Sequence, residues 1–139
     1  LFWAGNQDLL QSLAKLDGVN AVSMLDMQLT ETVSQAMDIQ LPGQTQDNTL
    51  PPVSQIGVGF NVAKAAGLTL LAGRDFSDDF QSDWYQTHGD HATASVIITA
   101  SLAQKAGVTN LNDVIGQQWL LPGDEPVLQM GLVCFLPYK

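Results

Sequence analysis

Basic residues are scarce in this sequence. Its 139 residues include five lysines and arginines against fourteen aspartates and glutamates, which gives a formal net charge of -9. Such a surface repels the phosphates of nucleic acid and offers no polybasic patch to an anionic membrane. We therefore expect no nucleic-acid partner, and we interpret the acidic excess mainly as a contribution to solubility.

Cysteine is nearly absent as well. The chain contains one cysteine, Cys134, so an internal disulfide is impossible. Cys134 lies in the apolar run LVCFL, and no basic residue lies near it in the sequence to activate the thiol. We interpret it as a small buried apolar side chain. A single buried thiol is compatible with a periplasmic or a cytosolic location.

Long apolar runs are also missing. No run approaches the roughly 18 apolar residues that a membrane-spanning helix requires. The start, LFWAGNQ, lacks the basic region and the long apolar core of a signal peptide. The chain does not begin with Met and ends directly after a strand-like run, so we expect that both ends were cut from a longer protein. On that expectation, the lack of a membrane segment says little about the whole protein.

Apolar periodicity recurs along the chain, and it predicts helices and strands within one domain, residues 1–139. The helices are predicted over residues 7–16, 62–66 and 100–106, and the strands over 19–29, 53–60, 95–99, 117–121 and 127–136. Residues 40–52 and 86–94 are polar and without periodicity, which predicts loops. The irregular order of these elements favours an α+β fold, in which helices pack on one side of a mixed, mainly antiparallel sheet.

Four residues mark the ends of the second and third helices. Asn61 and Thr99 precede them, and their side-chain oxygens suit an N-cap. Gly67 and Gly107 follow them and suit the left-handed conformation at a helix C-terminus. The sequence therefore predicts two short, capped helices.

The stretch GLTLLAGRDF occupies residues 67–76. It is an apolar run that contains Gly67 and Gly73 and leads to the only arginine, Arg74. It predicts a buried segment that turns sharply and places a charged pair, Arg74 and Asp75, at the turn. We interpret Asp75 as part of a turn or an ion pair rather than a general acid, which would need a partly desolvated position.

No catalytic signature accompanies this stretch. The sequence has no GxSxG motif, and its serines have no neighbouring base. The segment GVGF, residues 57–60, is too short for a phosphate-binding loop, so we interpret its glycines as packing positions. We expect no catalytic residue and no cofactor.

A metal site is an alternative interpretation of the segment between Asp78 and His91. Six metal-capable side chains occur there, namely Asp78, Asp79, Asp83, His88, Asp90 and His91. Two imidazoles and an aspartate could bind a divalent ion if a further ligand came from elsewhere. The chain would then be a free-standing small-molecule or metal-binding domain, or a metal-dependent hydrolase. We favour a solvated loop without metal, because nothing in the sequence fixes these side chains.

Two adjacent aromatic residues, Trp84 and Tyr85, allow a third hypothesis. They follow an acidic segment and could form an exposed docking patch, in which case the chain is a structural adaptor. Core packing is the interpretation that we favour for them.

Four segments follow one another in a recognisable order: GLTLLAGRDF, VIITASLAQKAG, NDVIGQQW and QMGLVCF. In this order they resemble the periplasmic core domain of MacB-type and FtsX-type ABC transporter permeases. The matching positions are Gly67, Leu68, Leu70, Leu71, Gly73, Arg74 and Phe76 in the first segment, Val96, Ile97, Ile98, Leu102 and Ala103 in the second, Ile115 and Gly116 in the third, and Gly131, Leu132 and Val133 in the fourth. Thr99 stands where the family often has Asn, and the sequence departs from the family pattern from Cys134 onward. The early stretch LDGVNAVS is also similar to the family.

The resemblance implies a non-enzymatic role. Such domains have a porter-type α+β fold, lie outside the inner membrane and couple ATP-driven conformational change to periplasmic substrates or partners, in export, lipoprotein release or signalling. The implied partners are the chain's own transmembrane segments, a cytoplasmic ATPase domain or subunit, and a periplasmic adaptor or lipoprotein. On this resemblance, Gly67 and Gly73 allow backbone turns, and Arg74 anchors a loop by charge-assisted hydrogen bonds.

Overall fold

The computed structural model describes residues 6–26, 36–41, 50, 52–54, 56–84, 86–88, 91–120 and 127–135. In that part of the chain the helices are α1 (Gln7–Ala14), α2 (Val62–Ala66) and α3 (Ala100–Lys105). The strands are β1 (Ala36–Met37), β2 (Val53–Ser54), β3 (Thr69–Ala72), β4 (Gln86–His88), β5 (His91–Ile98), β6 (Gln118–Leu120) and β7 (Val127–Phe135). Two short 3-10 turns, Gln81–Asp83 and Leu111–Val114, complete the described elements.

The main sheet is built around β7. Strand β5 pairs with β7 in parallel, and β4 extends the sheet by pairing antiparallel with β5. Strands β3 and β6 both pair antiparallel with β7, β3 near its C-terminal end and β6 near its N-terminal end. The described sheet is therefore open, mixed and mainly antiparallel, and the fold is α+β as predicted.

The three predicted helices are confirmed: α2 has its predicted bounds, whereas α1 and α3 end earlier than predicted. The side-chain oxygen of Thr99 caps α3 by accepting a hydrogen bond from the Leu102 amide at 3.3 Å. Gly67 follows α2 with φ of +67°, and Gly107 lies one residue beyond the C-cap of α3 with φ of +81°. Asn61 departs from its prediction, because its backbone is left-handed and its side chain makes no capping hydrogen bond.

A core of buried apolar side chains lies between the sheet and α3. Its described members are Ile39, Leu41, Leu50, Ala72, Ile98, Ala103, Val114 and Trp119. Trp119 is completely buried, so this tryptophan is a packing residue. Val62 and Phe76 form a second, smaller cluster, against which Val58 and Phe60 pack.

The strand predicted over residues 19–29 is wrong for its described part. Residues 19–26 contain one isolated antiparallel bridge, between Leu25 and Val58. Hydrogen bonds from the Asp26 amide to the Gly57 carbonyl (3.0 Å) and from the Gly59 amide to the Met24 carbonyl (2.8 Å) flank it. A Cβ atom on Gly57 would lie 2.4 Å from a carboxylate oxygen of the exposed Asp26 side chain, which would then have to move.

The polar stretch at residues 86–94 is not the loop that its composition predicts. Within it, β4 pairs antiparallel with the start of β5, and His88 lies opposite His91 in the backbone register. The strands predicted near residues 95–99, 117–121 and 127–136 are confirmed as parts of β5, β6 and β7. Cys134 lies in β7, but its side chain is outside the described part of the structure. None of the helices in the described ranges has the length and apolar character that crossing a bilayer requires.

Candidate functional site

The chain turns sharply after β3, at Gly73. Strand β3 ends at Ala72, which is buried in the core, and Gly73 has φ of +81°. That backbone conformation is left-handed, and glycine adopts it without the steric cost of a Cβ atom. The turn directs residues 73–84, which we call the anchored loop, across the start of α2.

The strongest contact in the anchored loop joins Arg74 and Asp83. Nη1 of Arg74 donates a hydrogen bond to Oδ2 of Asp83 at 2.5 Å, and Nη2 donates to Oδ1 at 2.8 Å. The two parallel bonds form the bidentate arrangement that a guanidinium and a carboxylate favour. The side chain of Asp83 is 0% exposed and that of Arg74 is 36% exposed, so the pair is screened from water mainly on the carboxylate side.

Asp83 receives further hydrogen bonds from its own loop. The Ser77 amide donates to Oδ2 at 2.9 Å, and the Ser82 hydroxyl donates to Oδ1 at 3.3 Å. Burial raises the pKa of Asp83, but the hydrogen bonds from Arg74 and Ser77 and the positive charge of Arg74 lower it by more, so the pKa lies below its ordinary value of 3.8. Asp83 is therefore ionised near neutral pH.

Arg74 makes two more contacts within the loop. Its Nη1 also donates to the backbone carbonyl of Asp75 at 3.0 Å. Its guanidinium carbon lies 3.6 Å from the centre of the Phe80 ring, which is a cation–π contact. The hydrogen bond to Asp83 raises the pKa of Arg74 by more than burial lowers it. One side chain thus connects the start, the middle and the end of the loop.

Asp75 has a different partner from the one that its position beside Arg74 suggests. Its Oδ1 accepts hydrogen bonds from the amides of Ala63 (3.1 Å) and Phe76 (2.9 Å), and its Oδ2 accepts from the amide of Lys64 (3.0 Å). Asp75 therefore supplies the N-terminal cap of α2 from a distant part of the sequence. Of the two roles expected for Asp75, a turn or an ion pair, the ion pair with Arg74 is not formed, because the guanidinium binds Asp83 and only the backbone carbonyl of Asp75.

Other contacts attach the anchored loop to the rest of the domain. The Asn61 amide donates to the Phe76 carbonyl at 2.9 Å, and the Ser95 hydroxyl, on β5, donates to the Ser82 carbonyl at 2.8 Å. The loop is therefore bound both to the start of α2 and to the main sheet.

Trp84 lies at the end of the anchored loop and is 37% exposed. Its ring packs edge-on against Phe60, with 4.8 Å between the ring centres. Its indole N–H donates to the Asp78 carbonyl at 3.3 Å. Trp84 is thus partly packed and partly exposed, and Tyr85, the other residue of the predicted docking patch, lies outside the described residues.

One candidate metal ligand, Asp83, forms an ion pair instead. Asp83 is committed to Arg74, whereas Asp78 and Asp79 are exposed. The side chains of His88 and His91 are not described, and Asp90 lies outside the described residues. Within the part of the chain that the structure describes, no three histidine, cysteine, aspartate or glutamate side chains are grouped as metal ligands.

A cleft of about 530 Å³ lies at a separate position in the fold. It is lined by Leu41, by residues that follow α3 and by the start of β6, among them Val108, Asp113 and Gln117. None of its lining residues belongs to the segment from Asp78 to His91. A small-molecule site built on that segment therefore gains no support from the cleft.

Sequence reasoning selected Gly67, Gly73, Arg74 and Asp75 but missed Asp83 and Phe80 as the partners of Arg74. Asp83 belongs to an acidic group with Asp78 and Asp79, and nothing in the sequence separates the buried carboxylate from the two exposed ones. The capping role of Asp75 was also missed, because the amides that it caps are 11 and 12 residues away.

No protein-family model, curated protein or solved structure matches the chain.

Proposed function

We propose that this chain is a non-catalytic, extracytoplasmic domain of an ABC transporter permease of the MacB and FtsX type. One observation carries the proposal: segments that resemble this family in sequence also become neighbours in the sheet. GLTLLAGRDF supplies β3, VIITASLAQKAG supplies the end of β5 and the whole of α3, and QMGLVCF supplies β7. Strands β3 and β5 flank β7 on opposite sides.

The anchored loop supports a coupling role in particular. A domain that transmits a conformational change by moving as a rigid body needs its loops fixed to its sheet and helices. Arg74 and Asp83 close the loop on itself, Asp75 fixes it to α2, and Ser95 fixes it to β5. In this proposal Gly67, Gly73, Arg74 and Asp75 are structural positions, and no reaction takes place among them.

The same proposal extends to the surroundings of the domain. It places the chain on the periplasmic side of an inner membrane, between transmembrane segments of the same polypeptide. Its partners are those segments, an ATPase domain or subunit, and a periplasmic adaptor or lipoprotein. We also propose the porter-like arrangement, with the helices on one side of the sheet, which suits the mixed pairing around β7.

The location can be tested in the complete reading frame. Alkaline phosphatase, which is active only outside the cytoplasm, is fused after residue 139, and β-galactosidase, which is active only inside, is fused at the same position. We expect phosphatase activity without galactosidase activity in intact cells. Galactosidase activity without phosphatase activity would place the domain in the cytoplasm and overturn the proposal.

A further inference from the structure

Two aromatic side chains of the anchored loop are exposed although the loop itself is firmly held. Phe80 is 47% exposed and Trp84 is 37% exposed. They stand on either side of the 3-10 turn Gln81–Asp83. Neither side chain completes the core of the domain, so their exposed surfaces are open to another molecule.

Both aromatic rings are held in position before any partner arrives. The guanidinium carbon of Arg74 lies 3.6 Å from the centre of the Phe80 ring, and Arg74 is held in place by its ion pair with Asp83. Trp84 is held by its edge-on contact with Phe60 and by its indole hydrogen bond to Asp78. A binding partner would therefore lose little free energy in ordering these side chains.

The charge around the two rings is negative. Asp78 and Asp79 are exposed and directly precede Phe80. The nearest cation, Arg74, is already neutralised by the buried carboxylate of Asp83. The exposed carboxylates attract cationic groups, whereas an acidic partner would be repelled here.

We propose that Phe80 and Trp84, together with Asp78 and Asp79, form a docking surface for a protein segment that presents arginine or lysine beside an apolar side chain. We call these four residues the aromatic–acidic surface. The apolar side chain of the partner packs on the exposed ring surfaces, and its cation binds the two carboxylates. This surface goes beyond the coupling role and does not depend on the chain being a permease domain.

The test uses a defined probe, a synthetic peptide of alternating arginine and leucine residues. Its binding to the ¹⁵N-labelled chain is followed by NMR, where the indole N–H of Trp84 is assigned from the signal that the Trp84→Phe variant loses. A second peptide has serine in place of each leucine, and a third has glutamate in place of each arginine. We expect saturable shifts of the Trp84 indole and of residues 78–84 with the first peptide, and no binding of the third. Weaker binding of the second peptide is expected, because it lacks the apolar contact.

Two double variants distinguish binding at this surface from the general attraction between an acidic protein and a basic peptide. Asp78→Asn with Asp79→Asn removes the carboxylates of the surface, whereas Asp8→Asn with Asp17→Asn makes the same charge change at exposed positions elsewhere. We expect the first pair to weaken binding about three- to tenfold and the second pair to weaken it much less. The Phe80→Ala variant, which keeps the charges, should also weaken binding.

Three results would overturn the proposal: shifts spread over the whole surface, equal weakening by the two charge pairs, or no saturable binding. Any of these would mean that the peptide responds only to net charge or ignores the chain. None of them bears on whether the domain lies outside the cytoplasm, which the reporter fusions decide separately.

Discussion

The guanidinium of Arg74 and the carboxylate of Asp83 are joined by two hydrogen bonds across nine positions of sequence, at 2.5 and 2.8 Å. Because the Asp83 side chain has no exposed surface, removal of the arginine would leave a buried carboxylate without its counter-charge. This pair closes residues 73–84 into the anchored loop, and four of the predictions below concern it or the cap beside it.

The Arg74→Ala variant should lose stability. We expect the free energy of unfolding in urea to fall by about 2 kcal/mol, less than for a fully buried ion pair because part of the guanidinium is exposed. The Lys105→Ala variant, which removes an exposed cation from α3, should change it by less than about 0.5 kcal/mol. If the urea curves of the wild type and Arg74→Ala overlay, Arg74 does not anchor the loop.

A double-mutant cycle isolates the contact between the two side chains. Arg74→Ala and Asp83→Ala should cost less together than the sum of the single variants, with a coupling energy of about 1 kcal/mol or more. Arg74→Lys should be intermediate, because lysine keeps the charge but cannot form both parallel hydrogen bonds. Strict additivity of the two alanine variants would show that the contact contributes nothing to stability.

The contribution of Asp83 to the free energy of unfolding should decrease in acid. Its pKa in the folded chain lies below the ordinary value of 3.8, so its stabilising effect is fully present above that value and is lost as the pH falls through the lower, folded-state pKa. We expect the difference in unfolding free energy between the wild type and Asp83→Asn to be constant near neutral pH and to shrink in acid below that ordinary value. A difference that stays constant down to the lowest accessible pH would contradict the prediction.

Asp75→Ala should loosen the start of α2. The variant removes an acceptor from three backbone amides, and we expect a cost of about 1–2 kcal/mol, typical of a lost helix cap. Amide hydrogen exchange should become faster at Ala63 and Lys64 in particular. The Asp17→Ala variant, at an exposed position, provides the matched control. Unchanged exchange at these two amides would show that Asp75 does not cap the helix.

Zinc and calcium should leave the thermal midpoint unchanged. Asp83 is committed to Arg74, so the segment from Asp78 to His91 has lost one of its candidate ligands. A metal that binds the folded chain raises its midpoint by ligand linkage. A clear rise with either ion that the His88→Ala and His91→Ala variants abolish would contradict our interpretation and support the metal-binding alternative.

Elements with strong local signals were predictable from the sequence. The leucines of α1, the Thr99 cap and the apolar run within β5 depend on neighbours only a few residues away, so periodicity and capping chemistry identify them. The α+β class follows from the order of such elements.

The contacts that hold the anchored loop were not predictable in the same way. Arg74 and Asp83 are brought together by an irregular turn, and Asp75 meets the amides of α2 through the path of β3. Strand β4 was missed because a short strand at the edge of a sheet can be polar on both faces, which removes the alternation by which strands are recognised. Each of these contacts, and the pairing of β4, depends on residues that only the tertiary structure brings together.

The reading frame that encodes this chain provides the most direct test of the proposed function. We predict an apolar segment of about 20 residues on each side of residues 1–139, and an ATPase domain in the same frame or in a neighbouring one. A frame that starts and stops close to these residues, with no apolar segment on either side, would contradict the permease proposal.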